Sequence, residues 1–136
     1  MRYLLDTNTC IAAMRQDAPV LQRLGVLTPA DCVISTITTY ELYTGVKKCA
    51  DPAKELGKVK LLLDTVGELV FDGQAAREAG RVRALLESLG TMIGAYDVLL
   101  AGHALSTALT LVSANTAEFS RVPGLSLENW QLPRAR

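Results

Sequence analysis

Tyr3-Leu4-Leu5-Asp6-Thr7-Asn8 opens the chain with three apolar residues that stop at an acid and two further helix-capping residues. A short run with no polar alternation reads as a strand buried on both faces, and the capping cluster reads as the start of a helix. The pattern then recurs. Cys32-Val33-Ile34, entered through Pro29-Ala30-Asp31, is a second strand, and Ser35 or Thr36 can cap the helix behind it, whose apolar face takes in Ile37, Tyr40 and Val46. Leu69-Val70-Phe71 is a third strand, Thr110-Leu111-Val112 a fourth, and a weak last one lies near Leu125 to Leu127. Between them fall a helix from Ile11, interrupted by Pro19 and resumed from Val20 to Leu27, and one opened by Asp51-Pro52 with Leu56, Val59, Leu62 and Leu63 at helical spacing. Asp72 caps a long helix whose buried face is Ala75, Ala79, Val82, Leu85, Leu86 and Leu89, and Tyr96 to Ala108 is the most apolar helix. Strands alternating with helices predict an α/β fold, a three-layer α/β/α sandwich on a short, mainly parallel central sheet, as one domain over residues 1–136.

Composition narrows the function. The chain has 136 residues, 49% of them hydrophobic, and 14 Lys and Arg balance 14 Asp and Glu. A neutral total argues against nucleic-acid affinity through bulk charge and leaves a local basic groove open. No apolar run approaches the ~18 residues of a membrane span, and Asp6 arrives before a signal-peptide core could form. Cys10, Cys32 and Cys49 form no C-x-x-C pair and read as reduced thiols, so the expectation is a cytoplasmic protein away from the membrane. His103 is the only imidazole, which excludes a two-histidine ribonuclease mechanism within one chain and a His-rich zinc site. It reads as a core histidine, and Trp130 as a packing anchor. The G-x-S-x-G, Walker A and G-x-G-x-x-G strings are absent.

Carboxylates remain. Sites on parallel sheets form outside the carboxyl ends of the strands. Asp6 directly follows the first strand, where it serves equally as a helix cap. Glu41 stacks with Ile37 and Gly45 on one stripe of its helix, and Asp97 stands in the first turn of a helix whose buried face runs through Leu100, Ala101, Ala104 and Leu105. Three acids at one sheet edge would repel and raise at least one pKa unless a cation intervenes. All-oxygen ligation suits Mg²⁺ or Mn²⁺. Such an ion lowers the pKa of its water and neutralises phosphate charge, so the pattern points to metal-assisted phosphoester chemistry.

These residues also carry a match. Leu5-Asp6-Thr7-Asn8, Ile34-Ser35 through Ile37-Thr38 to Glu41-Leu42, and Ile93-Gly94 to Asp97 resemble the PIN-domain nucleases. Leu111 to Phe119, Arg121 to Leu125 and Glu128-Asn129-Trp130 resemble, within them, the VapC toxins of bacterial toxin–antitoxin pairs. The resemblance covers essentially the whole chain. It implies a PIN-like fold and a Mg²⁺-dependent endoribonuclease, Mn²⁺ substituting, that cleaves RNA such as tRNA and stops translation until a VapB-like antitoxin binds. Asp6, Glu41 and Asp97 correspond to the family's acids, with Asp6 and Asp97 the principal metal ligands. Asn115 stands where a fourth acid is usual, with Glu118 the alternative; Asn115 can instead cap the turn before Phe119. Thr7, Asn8 and Ser113 would orient the carboxylates. The mechanism expected is in-line attack on phosphorus by a metal-activated water, leaving a 5′-phosphate. Lys47, Lys48, Arg81 and Arg83 are the candidate phosphate contacts, and Tyr40 and Tyr43 beside Glu41 fit either packing or RNA stacking. A homodimer and a toxin–antitoxin hetero-oligomer are expected of the family, with the helices near Val20–Leu24 and Leu56–Leu63 as docking surfaces. The rival is a catalytically weak PIN-like module acting by protein or RNA binding. A phosphatase with an Asp6 nucleophile lacks its second acid, since Asn8 stands there.

Overall fold

The computed structural model describes residues 1–132. Five strands, β1 (Tyr3–Leu5), β2 (Cys32–Ser35), β3 (Gly67–Leu69), β4 (Thr110–Val112) and β5 (Leu127–Glu128), form one sheet in the order β3-β2-β1-β4-β5. Every pairing is parallel, with Leu5 opposite Ile34 on one side and Val112 on the other. Successive side chains on a strand face opposite ways. Tyr3, Leu5, Cys32, Ile34 and Val112 therefore enter one core with Val20, Leu42, Val59 and Trp130, while Leu4, Val33 and Leu111 enter the other with Ala79, Val82, Leu86, Leu100 and Phe119. The first core is covered by α1 (Thr7–Met14), α2 (Ala18–Gly25), α3 (Thr36–Lys48) and α4 (Pro52–Thr65), the second by α5 (Gly73–Leu89), α6 (Ala95–Thr107) and the short α7 (Thr116–Phe119). The three-layer sandwich is as expected, and its sheet is parallel throughout.

Helix starts follow side-chain chemistry. Asp17, Ser35, Asp51 and Asp72 each accept from a backbone N–H of the first turn of α2, α3, α4 and α5. Pro19 and Pro52 sit in first turns, where their missing N–H costs no hydrogen bond. Asp6 likewise starts α1 at Thr7, four residues before Ile11. Pro19 is thus part of the start of α2 and does not break a helix.

Several expectations need correcting. The third strand lies two residues earlier than Leu69–Phe71: Val70 is exposed, and the Phe71 N–H donates to Thr36 Oγ1, away from the ladder. The last strand is Leu127–Glu128. Leu89 is exposed beside Gly90, which ends α5 at φ 67°. On α3 the buried residues are Thr38, Leu42 and Val46, and Tyr40 faces solvent. Of the apolar residues expected to dock a partner, Val20, Val59 and Leu62 lie in the core, leaving Leu21 and Leu61 exposed. Among the described residues no helix is long and apolar enough to cross a membrane.

Candidate functional site

Asp6 leaves the end of β1 with its N–H donating to Val112 O of β4 (3.0 Å), so it stands at the carboxyl edge of the two central strands. It is buried, and its Oδ1 accepts from Thr9 N at 2.8 Å; Oδ2 accepts no hydrogen bond among the described residues. Thr9 is tied in turn, its Oγ1 donating to Val112 O (3.1 Å). Glu41 lies in α3, which leaves β2 directly, and its Oε1 accepts from Thr7 Oγ1 at 2.7 Å. Asp97, half-buried in the first turn of α6, accepts at Oδ2 from Asn115 Nδ2 (3.3 Å). That same nitrogen donates to Glu118 Oε2 at 2.9 Å.

Electrostatics connect these groups. Asp97 is pushed up to about 6, first by burial, then by the adjoining Glu118 carboxyl and the charges of Asp6 and Glu41. Glu118 is held below the usual carboxylate range, chiefly by the Asn115 amide. The structure therefore brings Asp6, Glu41, Asp97, Asn115 and Glu118 to one edge from four elements. Among the described residues no three His, Cys, Asp or Glu groups stand at ligand spacing around one point. The acids share an edge without forming a closed cage.

The donor set is nonetheless one that fits a hard cation. Asp6 and Glu41 each have one oxygen held by a protein donor and the other free of protein hydrogen bonds among the described residues. Gly94 keeps the approach to the third acid open, because a Cβ there would lie 3.1 Å from Asp97 Oδ2. Asn115 turns its NH₂ toward both acids, so its side chain is a clamp on them; it occupies the cap position of α7 but makes no side-chain cap bond.

The remaining candidates separate. Thr7 orients Glu41 directly. Ser113 is buried and accepts from Asn115 N at 2.9 Å, which shapes the loop carrying the clamp. Asn8 is exposed on α1 and has no hydrogen bond to the acids among the described residues. Arg81 pairs with Glu78 and Arg83 with Glu87 on their own helix, whereas Lys47 and Lys48 end α3 in no ion pair among the described residues. His103 is a buried core residue whose Nδ1 meets Ser35 Oγ at 2.9 Å and whose ring meets Phe71 edge-on. Trp130 packs edge-on against Tyr3 and donates to Glu128 Oε1 (3.0 Å). Cys10, Cys32 and Cys49 are free, and burial raises the Cys10 thiol far above its ordinary value, which keeps it protonated.

Sequence reading missed four contributors. Thr9 acts through a backbone N–H, which no residue pattern announces, and Gly94, although part of the matched stretch before Asp97, acts through a missing side chain that the match did not explain. Arg121 donates to Met92 O and places its charge near Glu118. Tyr96, whose hydroxyl lies 2.9 Å from that of Tyr40, had a visible signal in its position directly before Asp97.

A parallel sheet in this order, with acids gathered at its carboxyl edge, is the frame of the PIN domain. The PIN-domain family model matches residues 3–125, and the chain belongs to that family. Within it the similarity is to the VapC ribonucleases. The tRNA(fMet)-specific endonuclease VapC of Salmonella typhimurium is 37% identical over 96% of this chain and 98% of its own length. Ribonuclease VapC2 of Rickettsia felis is 35% identical over 96% and 98%. The crystal structure of DNA-bound VapBC from Salmonella typhimurium superposes with a TM-score of 0.91 at 37% identity, covering 96% of this chain and 98% of that one.

Proposed function

We propose that this chain is a metal-dependent endoribonuclease, the toxin of a toxin–antitoxin pair, acting in the cytoplasm on RNA, with tRNA the favoured substrate class. The observation that carries the reading is the convergence of Asp6, Glu41, Asp97 and Glu118 at one strand edge, two of them with an oxygen left open. Asp6 and Asp97 would be the principal ligands of Mg²⁺, with Glu41 completing the set. Glu118 suits the fourth place better than Asn115, whose amide nitrogen already faces the acids. A divalent cation held there supplies neutralisation of phosphate charge and a water of lowered pKa.

The chain's own residues set the geometry. Thr9 N and Thr7 Oγ1 fix the Asp6 and Glu41 carboxylates, and Asn115 holds Asp97 beside Glu118. His103, buried and bonded to Ser35, takes no part in proton transfer. The substrate class and an antitoxin partner are supported by the VapC relatives and by the VapBC assembly that the chain resembles.

Incubating the purified chain with a tRNA pool should give cleavage in Mg²⁺ or Mn²⁺ and none in EDTA. Asp6→Asn and Asp97→Asn should each reduce the rate by at least about a hundredfold, beyond the usual effect of losing a group that merely orients a ligand. Asn caps a helix as well as Asp does, so Asp6→Asn should keep the wild-type melting temperature, whereas Asp6→Ala should lose about 1 kcal/mol. RNA binding with no cleavage under any metal would favour the rival reading as a binding module.

A further inference from the structure

The chain contains four tyrosines. Tyr3 is buried against Trp130, and the other three are exposed: Tyr40 at 53%, Tyr96 at 43% and Tyr43 at 42%. Tyr40 directly precedes Glu41 on α3, and Tyr96 directly precedes Asp97 on α6. Their hydroxyls meet at 2.9 Å, their ring centroids are 5.6 Å apart, and the rings are inclined at 59°. The hydroxyl contact satisfies each ring's polar end. Roughly half of each residue is left facing water beside the acids.

The tie between α3 and α6 does not rest on this pair alone. The buried Ser35–His103 contact already ties the start of α3 to α6. An inclined pair of open aromatic rings next to carboxylates that would hold the metal ion neutralising a phosphate is suited to a planar apolar partner attached to that phosphate. A nucleobase is such a partner, and base–aromatic stacking tolerates any base because every base has a π-face.

We propose that Tyr40 and Tyr96 form a wedge that stacks the nucleobase adjoining the scissile phosphate. The inference rests on the endoribonuclease reading above. Positioning by the wedge makes substrate affinity depend on the presence of one base.

The test uses an unstructured, fluorescein-labelled oligoribonucleotide and a series with a single abasic site moved along it. Binding is followed by anisotropy in Ca²⁺ and cleavage in Mg²⁺. One abasic position should weaken binding to the wild-type chain by about ten- to a hundredfold. The same position should cost Tyr40→Phe/Tyr96→Phe as much, since the rings remain, and should cost Tyr40→Ala/Tyr96→Ala less than about twofold, since the stacking is already gone. In cleavage, the alanine pair should raise KM with little change in kcat.

Phe and Ala pairs that lose equally would overturn the proposal in favour of a hydroxyl strut between α3 and α6. A wild-type chain indifferent to every abasic position also overturns it, and that measurement needs no variant to fold. Cleavage that stays metal-dependent while the base effect is missing sinks the wedge alone. A wild-type chain that cleaves no RNA in Mg²⁺ or Mn²⁺ sinks the nuclease reading and the wedge together.

Discussion

Asp6 does structural and chemical work with different oxygens: Oδ1 caps α1 through Thr9 N, and Oδ2 remains for the site. The two readings offered by the sequence, cap and ligand, are therefore compatible. Asn115 resolves differently, because its NH₂ is committed to Asp97 and Glu118. His103 shows how a lone titratable residue is retired from chemistry. Burial lowers its pKa below the ordinary 6.5, against the smaller opposing pull of Asp72. Above pH 6.5 the ring is neutral in both folded and unfolded chains, and stability is full. As pH falls through 6.5 the unfolded chain takes up the proton first, so stability declines until the lower folded pKa is also passed. Urea midpoints measured between pH 7.5 and 5 should fall further for the wild type than for His103→Asn. Parallel pH profiles for the two would show that the ring carries no such linkage.

At the scale of elements, α5 and α6 approach closely at Gly102, which permits the contact by lacking a side chain. A Cβ on Gly102 would lie 2.5 Å from Ala79 Cα and 2.6 Å from Ala79 Cβ. Much of that obstruction is backbone, so no rotamer relieves it. Gly102→Ala should cost about 1–3 kcal/mol in urea denaturation, toward the upper end, and Ala79→Gly should not restore the loss, because its N and Cα still obstruct. Full rescue by Ala79→Gly would mean that only the methyl groups collide. The sequence did not announce this contact, and it announced the face that α3 buries only in part. Strands β1, β2 and β4 were legible because a strand covered on both faces is apolar without interruption. At the third strand an apolar run also exists, but Gly67 packs close to Val33 and starts the ladder early, leaving Val70 outside it. On α3 hydrophobicity placed Val46 correctly and Ile37 in part, but the buried stripe contains Thr38 while Tyr40 is exposed. Asp6 and Asp97 could be found because one directly follows β1 and the other stands in the first turn of α6, whereas Glu41, in the middle of α3, was found from its helical spacing with Ile37 and Gly45. Of the donors that hold them, Thr7 was legible beside Asp6, but the Thr9 N–H was not, since a backbone donor leaves no mark in a residue pattern.

Over the whole molecule, charge balance and charge placement say different things. The chain is formally neutral, with 14 basic and 14 acidic residues, so a polyanion must be drawn to local groups and not to an overall field. Part of the basic charge is paired within the chain. Arg81 and Arg83 are held by Glu78 and Glu87, Lys58 by Glu55, and Arg23 by Glu128. Lys47 and Lys48 are exposed at the end of the helix that carries Glu41, in no ion pair among the described residues. Binding of single-stranded RNA releases counterions in proportion to the phosphates contacted, with a slope in log K against log salt of about 0.7 per phosphate. If those two lysines meet phosphate, Lys47→Ala/Lys48→Ala should flatten the slope by about 1.4. Arg81→Ala/Arg83→Ala should barely change it, because those guanidinium groups must first leave carboxylates on their own helix. Anisotropy titrations of one labelled RNA across a salt series decide between the pairs. A larger flattening from the arginine pair would move the RNA path from the end of α3 to the outer face of α5.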